Sequence, residues 1–301
     1  MIYNHIKNLV NLGYLVDEST ANLIENLNEN NFYKLVEGLK ERNIFLVNNK
    51  LINDILAGDV KIIKEFTPLK KFTVQDFVKN LNERYSALQN ILIKRVEFSD
   101  LVTINKLSSG YASIIGLVKE KTENEENFVV VLEDSTGDVQ TLIPKNLGEK
   151  LALDDTVAVS GKFSNKIFFV SKLVYPDVPI RAVNYTLESV KVAFLEEEKD
   201  YNANYVFYKN QIKDKIKDKV YRITNPCLVE IAGVVILVLF DFNPLEILRK
   251  RYVNIENTDF LVEPVPDIVF TDKEINTNYK GISILSLNKL IDLKTREIVI
   301  I

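Results

Sequence analysis

Residues 127–143 read NFVVVLEDSTGDVQTLI and contain two β-rich runs joined by a short turn. The runs at 127–132 and 139–143 are rich in apolar and β-branched side chains, which is typical of paired strands. Between them, Gly137 can adopt the positive φ that a tight turn requires. This segment therefore predicts a β-hairpin.

Three further β-rich runs surround the hairpin, at 111–119, 156–161 and 166–174. A short helical segment at 144–151 separates the third run from the fourth. Five strands with a helix between the third and the fourth are the layout of an OB-fold, a small and partly open barrel. The sequence therefore predicts a five-stranded OB-fold barrel within residues 96–180.

The segments on either side of the barrel have different patterns. Apolar residues recur at helical spacing before it, which predicts a small helical domain at 1–57. The next segment, 58–95, is expected to hold a linker and an amphipathic helix. That helix begins at a predicted capping box between Thr73 and Asp76, in which Asp takes the usual place of Glu. Strand-like runs dominate 181–301, which is expected to be a β-rich α/β domain. The predicted class is a multidomain α+β protein.

Two shorter patterns in this last segment predict helices. Asn243 followed by Pro244 is typical of a helix start, with asparagine as the cap and proline in the first turn. The charged run 209–219 carries Ile212 and Ile216 at helical spacing and is interpreted as a solvated helix.

The chain has one cysteine, Cys227, and one histidine, His5. A single cysteine cannot form an intramolecular disulfide, so a reducing cytoplasm is the expected location. A single histidine argues against zinc sites, Ser-His-Asp triads and histidine-dependent phosphoesterase centres. His5 is therefore expected to lie at the surface or to pack between helices, and no cofactor is expected.

Charge and hydropathy argue against two further classes of protein, those that coat nucleic acid and those that span a membrane. The net charge of −4 argues against a protein whose main task is to coat nucleic acid, because such affinity comes largely from Lys and Arg. The longest purely apolar run, 234–240, is far shorter than the roughly 18 residues of a membrane helix. No membrane partner or targeting segment is expected.

Several motifs lie within or beside the predicted barrel: NERYSAL at 82–88, LEDSTG at 132–137, LDDTV at 153–157, and YPDVP at 175–179. In these motifs the chain resembles the small subunit of archaeal family D DNA polymerase, which is related to the B-subunits of eukaryotic replicative polymerases. The resemblance implies that a calcineurin-like phosphoesterase domain follows the barrel. In active members that domain is a metal-dependent 3′ to 5′ exonuclease.

The metal motifs that the resemblance implies are altered in this chain. Glu197 and Lys199 align with the Asp and His of the first motif, and Phe240-Asp241 stands where a His-Gly pair is expected. The final Gly-His-x-His motif is replaced by Asp272, Lys273, Glu274 and Ile275. The resemblance therefore implies a truncated, degenerate phosphoesterase domain. Lys199 and Lys273 either extend into solvent from loops, as lysines usually do, or supply part of the lost metal charge beside the remaining carboxylates.

Two functional hypotheses follow. The resemblance implies a non-catalytic accessory subunit that scaffolds the large catalytic subunit of a replicative DNA polymerase and meets DNA through the complex. The residues themselves leave open a single-stranded DNA-binding protein, whose barrel would stack bases on exposed aromatic rings near lysines. The candidate DNA or partner contacts on the barrel are Tyr111, Phe163, Lys166, Phe169 and Tyr175.

The residues also leave open a metal-dependent nuclease and a second nucleic-acid contact surface. Carboxylates alone can bind Mg²⁺ or Mn²⁺, so an active nuclease would need a site built from acidic residues. The candidates for such a site are Glu196, Glu197, Glu198, Asp241, Asp272 and Glu274. On the amphipathic helix, Arg84, Lys94 and Arg95 are alternative nucleic-acid contacts.

Overall fold

A computed structural model describes residues 5–17, 20–27, 29–42, 44–48, 51–52, 55, 60–67, 73–95, 98, 100–186, 188–197, 201–255 and 258–301. The chain divides into two compact units. The first comprises residues 1–67, 181–242 and 264–301, and the second comprises 68–180 and 243–263. The boundaries of the four segments expected from the sequence stay a prediction.

The first unit begins with a small helical module. Its elements are α1 (His5–Asn11), β1 (Leu15–Val16), α2 (Ala21–Glu25), α3 (Glu29–Arg42) and β2 (Leu46–Val47). Gly13, with φ of +88°, lies just after the end of α1, where a glycine commonly stops a helix. The buried ring of His5 stacks on Phe32 at 4.2 Å, and its Nε2 donates to the carbonyl of Leu27 at 2.9 Å. The interpretation of His5 as a helix-packing residue is confirmed.

Two six-stranded sheets make up the remainder of the first unit. One has the order β12-β11-β10-β9-β20-β21 and the other β18-β19-β17-β14-β13-β3. The first contains β9 (Lys191–Phe194), β10 (Tyr205–Tyr208), β11 (Gln211–Asp214), β12 (Lys219–Arg222), β20 (Lys289–Asp292) and β21 (Ile298–Ile300). The second contains β3 (Lys61–Glu65), β13 (Cys227–Ile231), β14 (Val234–Leu239), β17 (Ile268–Thr271), β18 (Thr277–Tyr279) and β19 (Ile282–Leu285).

One hydrophobic core lies between these two sheets. Phe194 and Phe207 of the first sheet and Val238 and Phe270 of the second belong to the same buried cluster. Because β10 is buried on both faces, its four residues are all apolar or aromatic rather than alternating. The strand-like runs of the tail are thereby confirmed as sheet strands.

Two expectations about this unit were wrong. Residues 61–65, assigned to a linker, form the edge strand β3, which pairs antiparallel with β13. The charged run 209–219 is not a helix, because β11 lies within it and pairs with both β10 and β12. Ile212 is fully buried in the sheet core, so its burial against the sheet outweighs the helical spacing that it shares with Ile216.

The second unit contains the predicted barrel. Its strands are β4 (Gly110–Glu123), β5 (Asn127–Asp134), β6 (Gly137–Pro144), β7 (Thr156–Ser164) and β8 (Ile167–Val174), with α5 (Lys145–Gly148) between β6 and β7. They close in the order β4-β5-β6-β8-β7, and β6 and β8 run parallel. The closed five-stranded barrel is confirmed, and its layout is consistent with an OB-like fold.

Two helices and a hairpin complete the second unit. The helix α4 (Val74–Ile93) begins with the predicted capping box between Thr73 and Asp76. The helix α6 (Pro244–Lys250) begins at Asn243, whose side chain accepts from the N–H groups of Leu245 and Glu246. It precedes the hairpin of β15 (Tyr252–Ile255) and β16 (Thr258–Leu261).

The apolar stripe predicted on α4 is buried only in part. Leu88 and Leu92 are fully buried, whereas Phe77, Val78 and Ile93 remain exposed. Among the described residues, no helix combines the length and the apolar composition needed to cross a membrane.

Candidate functional site

The altered metal motifs of the first unit lie at the ends of neighbouring strands. β14 and β17 are parallel partners, and Leu239 faces Thr271 in their register. Asp241 and Asp272 therefore follow the carboxyl ends of adjacent strands at one edge of the sheet. The backbone N–H of Asp241 donates to Oδ1 of Asp272 at 3.0 Å, which joins the two strand ends.

The end of β9 meets the same part of the core. Phe194, the last residue of β9, stacks on Phe270 of β17 with ring centroids 4.3 Å apart. Phe240 packs edge-on against the same Phe270 ring at 5.2 Å. Glu197 follows β9 by three positions and is exposed. The fold thus brings the strand ends that precede all three altered motifs together.

The polar groups at this edge are exposed or partly exposed. The Nζ of Lys273 lies 3.6 Å from Oδ2 of Asp272, and the lysine side chain is 42% exposed. Asp241 and Glu274 are also exposed. Lys199, the other lysine expected here, lies outside the described residues. The ion pair of Lys273 is therefore a solvated one.

These residues do not fit the two-metal centre that the resemblance implies. Such a centre needs bridging carboxylates and imidazoles, with its ions about 3.5 to 4 Å apart. The chain's one histidine, His5, belongs to α1 and packs on Phe32. In the part of the chain that the structure describes, no group of three or more His, Cys, Asp or Glu residues is placed to hold a metal ion.

Asn225 is an important residue of this edge that the sequence reading missed. Its side-chain amide donates to the carbonyl of Phe240 at 3.1 Å and accepts from the N–H of Phe240 at 2.9 Å. Both backbone groups of Phe240 are thereby paired just past the end of β14. The sequence signal that could have identified it is the Asn225-Pro226 dipeptide. Such a dipeptide predicts a turn but does not predict which backbone groups the asparagine side chain will bind.

The candidate contacts on the barrel separate into two groups. Tyr111 and Phe169 are exposed, with 79% and 45% of their surface accessible, and Lys166 is exposed in the β7–β8 turn. Phe163 and Tyr175 are half-buried and pack against the barrel core. The first group is available for contact with a partner or ligand, whereas the second mainly stabilises the barrel.

A buried charged network in the second unit was also missed. Arg84 pairs with Asp259 at 2.6 Å and lies over the ring of Tyr252, with its guanidinium carbon 4.4 Å from the ring centroid. The hydroxyl of Tyr252 donates to Asp155 at 3.1 Å, and Lys250 lies 3.1 Å from the same carboxylate. The interpretation of Arg84 as a nucleic-acid contact is wrong, because its side chain is buried and paired within the protein.

The pKa of Lys250 reflects this arrangement. Burial opposes the charged ammonium, but the carboxylates of Asp155 and Glu246 outweigh burial and raise its pKa above the ordinary lysine value. Lys250 is therefore held in its charged form in the folded protein.

The fold and its sites define a mixed α+β protein with a closed five-stranded barrel that is consistent with an OB-like fold. Sequence comparison finds the "DNA polymerase II small subunit" of Archaeoglobus fulgidus, 25% identical over 202 residues, which are 65% of this chain and 40% of the relative. That of Pyrococcus abyssi is 37% identical over 117 residues, 36% of this chain and 19% of the relative. That of Thermoplasma acidophilum is 24% identical over 185 residues, 58% of this chain and 36% of the relative.

The chain is thus homologous to archaeal DNA polymerase small subunits, and the resemblance seen in its motifs is confirmed. Its matched regions span less than half the length of these relatives. No protein-family model matches the chain.

Comparison with solved structures gives only weak overlaps. The asparaginyl-tRNA synthetase of Pyrococcus horikoshii overlaps with a TM-score of 0.23 at 21% identity, over 26% of this chain and 23% of that one. The hypothetical protein ygiW from E. coli overlaps with a TM-score of 0.21 at 16% identity, over 25% of this chain and 88% of that one. Scores this low establish no common fold.

Proposed function

We propose that this chain is a non-catalytic accessory subunit of a replicative DNA polymerase and that it scaffolds a large catalytic subunit. The observation that carries the proposal is the homology to proteins named DNA polymerase II small subunit in several archaea. A small subunit of a polymerase implies a larger partner. The subunit would work in the cytoplasm, bind no cofactor of its own and meet DNA through the complex.

The absence of catalysis is the second part of the proposal. It is supported by the residues at the ends of β9, β14 and β17, where Asp272 pairs with the ammonium of Lys273. Lysine provides a positive charge next to a carboxylate but cannot ligate a metal ion while it is protonated. Lys273 would therefore replace part of the charge that metal ions supply in active phosphoesterases.

Reconstitution tests the scaffolding role. The tagged chain is co-expressed with the large polymerase subunit of its own organism, and each protein is also expressed alone. We expect the two to co-elute as one complex and the large subunit to gain thermal stability and primer extension. Separate elution, together with full stability and activity of the large subunit alone, would overturn the proposal.

A nuclease assay tests the second part. The purified chain is incubated with end-labelled single-stranded and mismatched primers in Mg²⁺ or Mn²⁺, beside Glu197→Ala and Asp241→Ala variants. We expect equal background in all three samples. Cleavage that co-elutes with the wild-type chain and disappears in either variant would show that the carboxylates still support catalysis.

A further inference from the structure

We propose that a strip of exposed side chains across β4, β7 and β8 of the barrel binds single-stranded nucleic acid. The strip consists of Tyr111, Lys162 and Phe169. In the strand register, Tyr111 is the partner of Lys162, and Lys162 is the partner of Phe169. All three side chains are exposed. They therefore form one row across three adjacent strands, with Lys162 between the two aromatic residues.

The spacing of this row suits nucleotides in an extended strand. Neighbouring strands lie about 4.8 Å apart, so the backbones of β4 and β8 at Tyr111 and Phe169 are about 10 Å apart. That exceeds the 4.5 to 7 Å at which two aromatic rings pair with each other. Each ring can therefore stack on a different base, and Lys162 lies where the phosphate between the bases would pass.

The charge distribution of the barrel favours this face. Residues 104–118 and 156–174, which include most of β4 and all of β7 and β8, contain four lysines and no acidic residue. The four, all exposed, are Lys106, Lys162, Lys166 and Lys172. These two ranges carry only positive charge in a chain whose net charge is −4, and their lysines attract phosphates.

The opposite charge prevails on the surface that OB-folds commonly use. Their strands 2 and 3 often carry the nucleic-acid site, and these correspond to β5 and β6. Residues 119–155, which contain both strands, hold ten acidic residues against four lysines. Phosphates would be repelled there. The strip on β4, β7 and β8 is therefore the face of this barrel that fits a single strand.

A protein partner is the competing occupant of an exposed aromatic pair. The nucleic-acid assignment rests on Lys162 between the two aromatic residues and on the lack of carboxylates in residues 104–118 and 156–174. An acidic peptide would use the lysines but would gain less from two separated rings, whereas every base has a face that stacks. The inference does not depend on the proposed role as a polymerase subunit.

Fluorescence anisotropy with a labelled oligo(dT) strand tests the proposal on the full chain, at about 50 mM salt so that weak binding is detected. We expect micromolar binding. Tyr111→Ala and Phe169→Ala should each weaken it by roughly 5- to 100-fold, as for the loss of one stacked base. Lys162→Gln should reduce the slope of log K against log salt by about 0.7 for a lost phosphate contact.

Matched controls come from exposed residues outside the strip. Tyr33→Ala removes an exposed ring of the helical module, and Lys79→Gln removes an exposed lysine of α4. Neither should change affinity or salt slope. The proposal is overturned if the strip variants bind as the wild type does, if the controls lose as much affinity, or if the wild-type chain does not bind at all. Loss of a co-purifying protein with unchanged oligonucleotide affinity would assign the strip to a protein partner.

Discussion

Nη1 of Arg84 lies 2.6 Å from Oδ1 of Asp259, although the two residues are 175 positions apart. Arg84 belongs to α4, which precedes the barrel in sequence, and Asp259 belongs to β16, which follows it. Both side chains are nearly inaccessible, and Nη2 of Arg84 also donates to the carbonyl of Asp154 at 3.2 Å. This pair therefore ties the helix, the barrel and the β15–β16 hairpin into one unit.

Arg84→Met should lower the free energy of unfolding of the barrel unit by about 3 to 5 kcal/mol, because it leaves Asp259 buried without its cation. Urea unfolding monitored by circular dichroism measures the loss. Lys79→Met, on an exposed face of the same helix, is the control and should stay within about 0.5 kcal/mol of the wild type. A loss below about 1 kcal/mol for Arg84→Met would be typical of an exposed ion pair and would contradict the burial of Arg84 and Asp259.

Lys250→Met should destabilise the protein far more than Lys273→Met, although each variant breaks an ion pair. Lys250 is 10% exposed and faces the buried Asp155, whereas Lys273 and Asp272 are both solvated. We expect a loss of about 3 to 5 kcal/mol for Lys250→Met and at most about 1 kcal/mol for Lys273→Met. Equal melting temperatures for the two variants would refute this difference.

The stabilisation by Lys250 should also depend on pH. Its partners raise the pKa of its ammonium in the folded state, so the folded protein holds this proton more tightly than the unfolded chain. The stabilisation is therefore fully present below the ordinary lysine pKa of about 10.4 and is lost as the pH rises through the raised value. The stability difference between wild type and Lys250→Met should be constant from pH 6 to about pH 9 and shrink above it. A stability difference between wild type and Lys250→Met that vanishes near neutral pH would contradict the upward direction of the pKa shift.

Cys227 should be unreactive in the folded protein. It is fully buried in β13, and burial raises the pKa of its thiol to about 12, so almost no thiolate forms at neutral pH. Iodoacetamide labelling at pH 7.5, followed by mass spectrometry, should show modification in urea and almost none without it. Rapid native labelling would show that β13 opens or is exposed.

Gly161→Ala should distort the barrel. A Cβ at this position would lie 1.9 Å from the carbonyl oxygen of Phe169, so β7 and β8 would have to move apart. We expect a loss of about 1 to 3 kcal/mol, as for other overpacked sites, and weaker oligonucleotide binding because Phe169 shifts. Ser164→Ala, at the end of the same strand, is the control. Normal stability of Gly161→Ala would mean that the strands are not so close.

The sequence by itself determined the barrel, the capping box at Thr73 and the start of α6 at Asn243. These features depend on local signals: alternating side chains, a turn glycine, and caps within four residues of the groups that they pair with. The altered metal motifs could also be recognised from the sequence, because they require particular residue types at particular positions. The contacts of their side chains could not be predicted from it.

Only the tertiary structure decided the remainder. In the folded protein, residues 61–65 form an edge strand, and part of 209–219 belongs to a sheet despite its helical pattern. Arg84 is buried against the carboxylate of Asp259, which lies far along the chain. The tertiary structure also aligned Tyr111, Lys162 and Phe169 in one row. Each of these outcomes depends on partners distant in sequence, and the free energy of burying or pairing a side chain against them exceeds the weak local preference of a short segment.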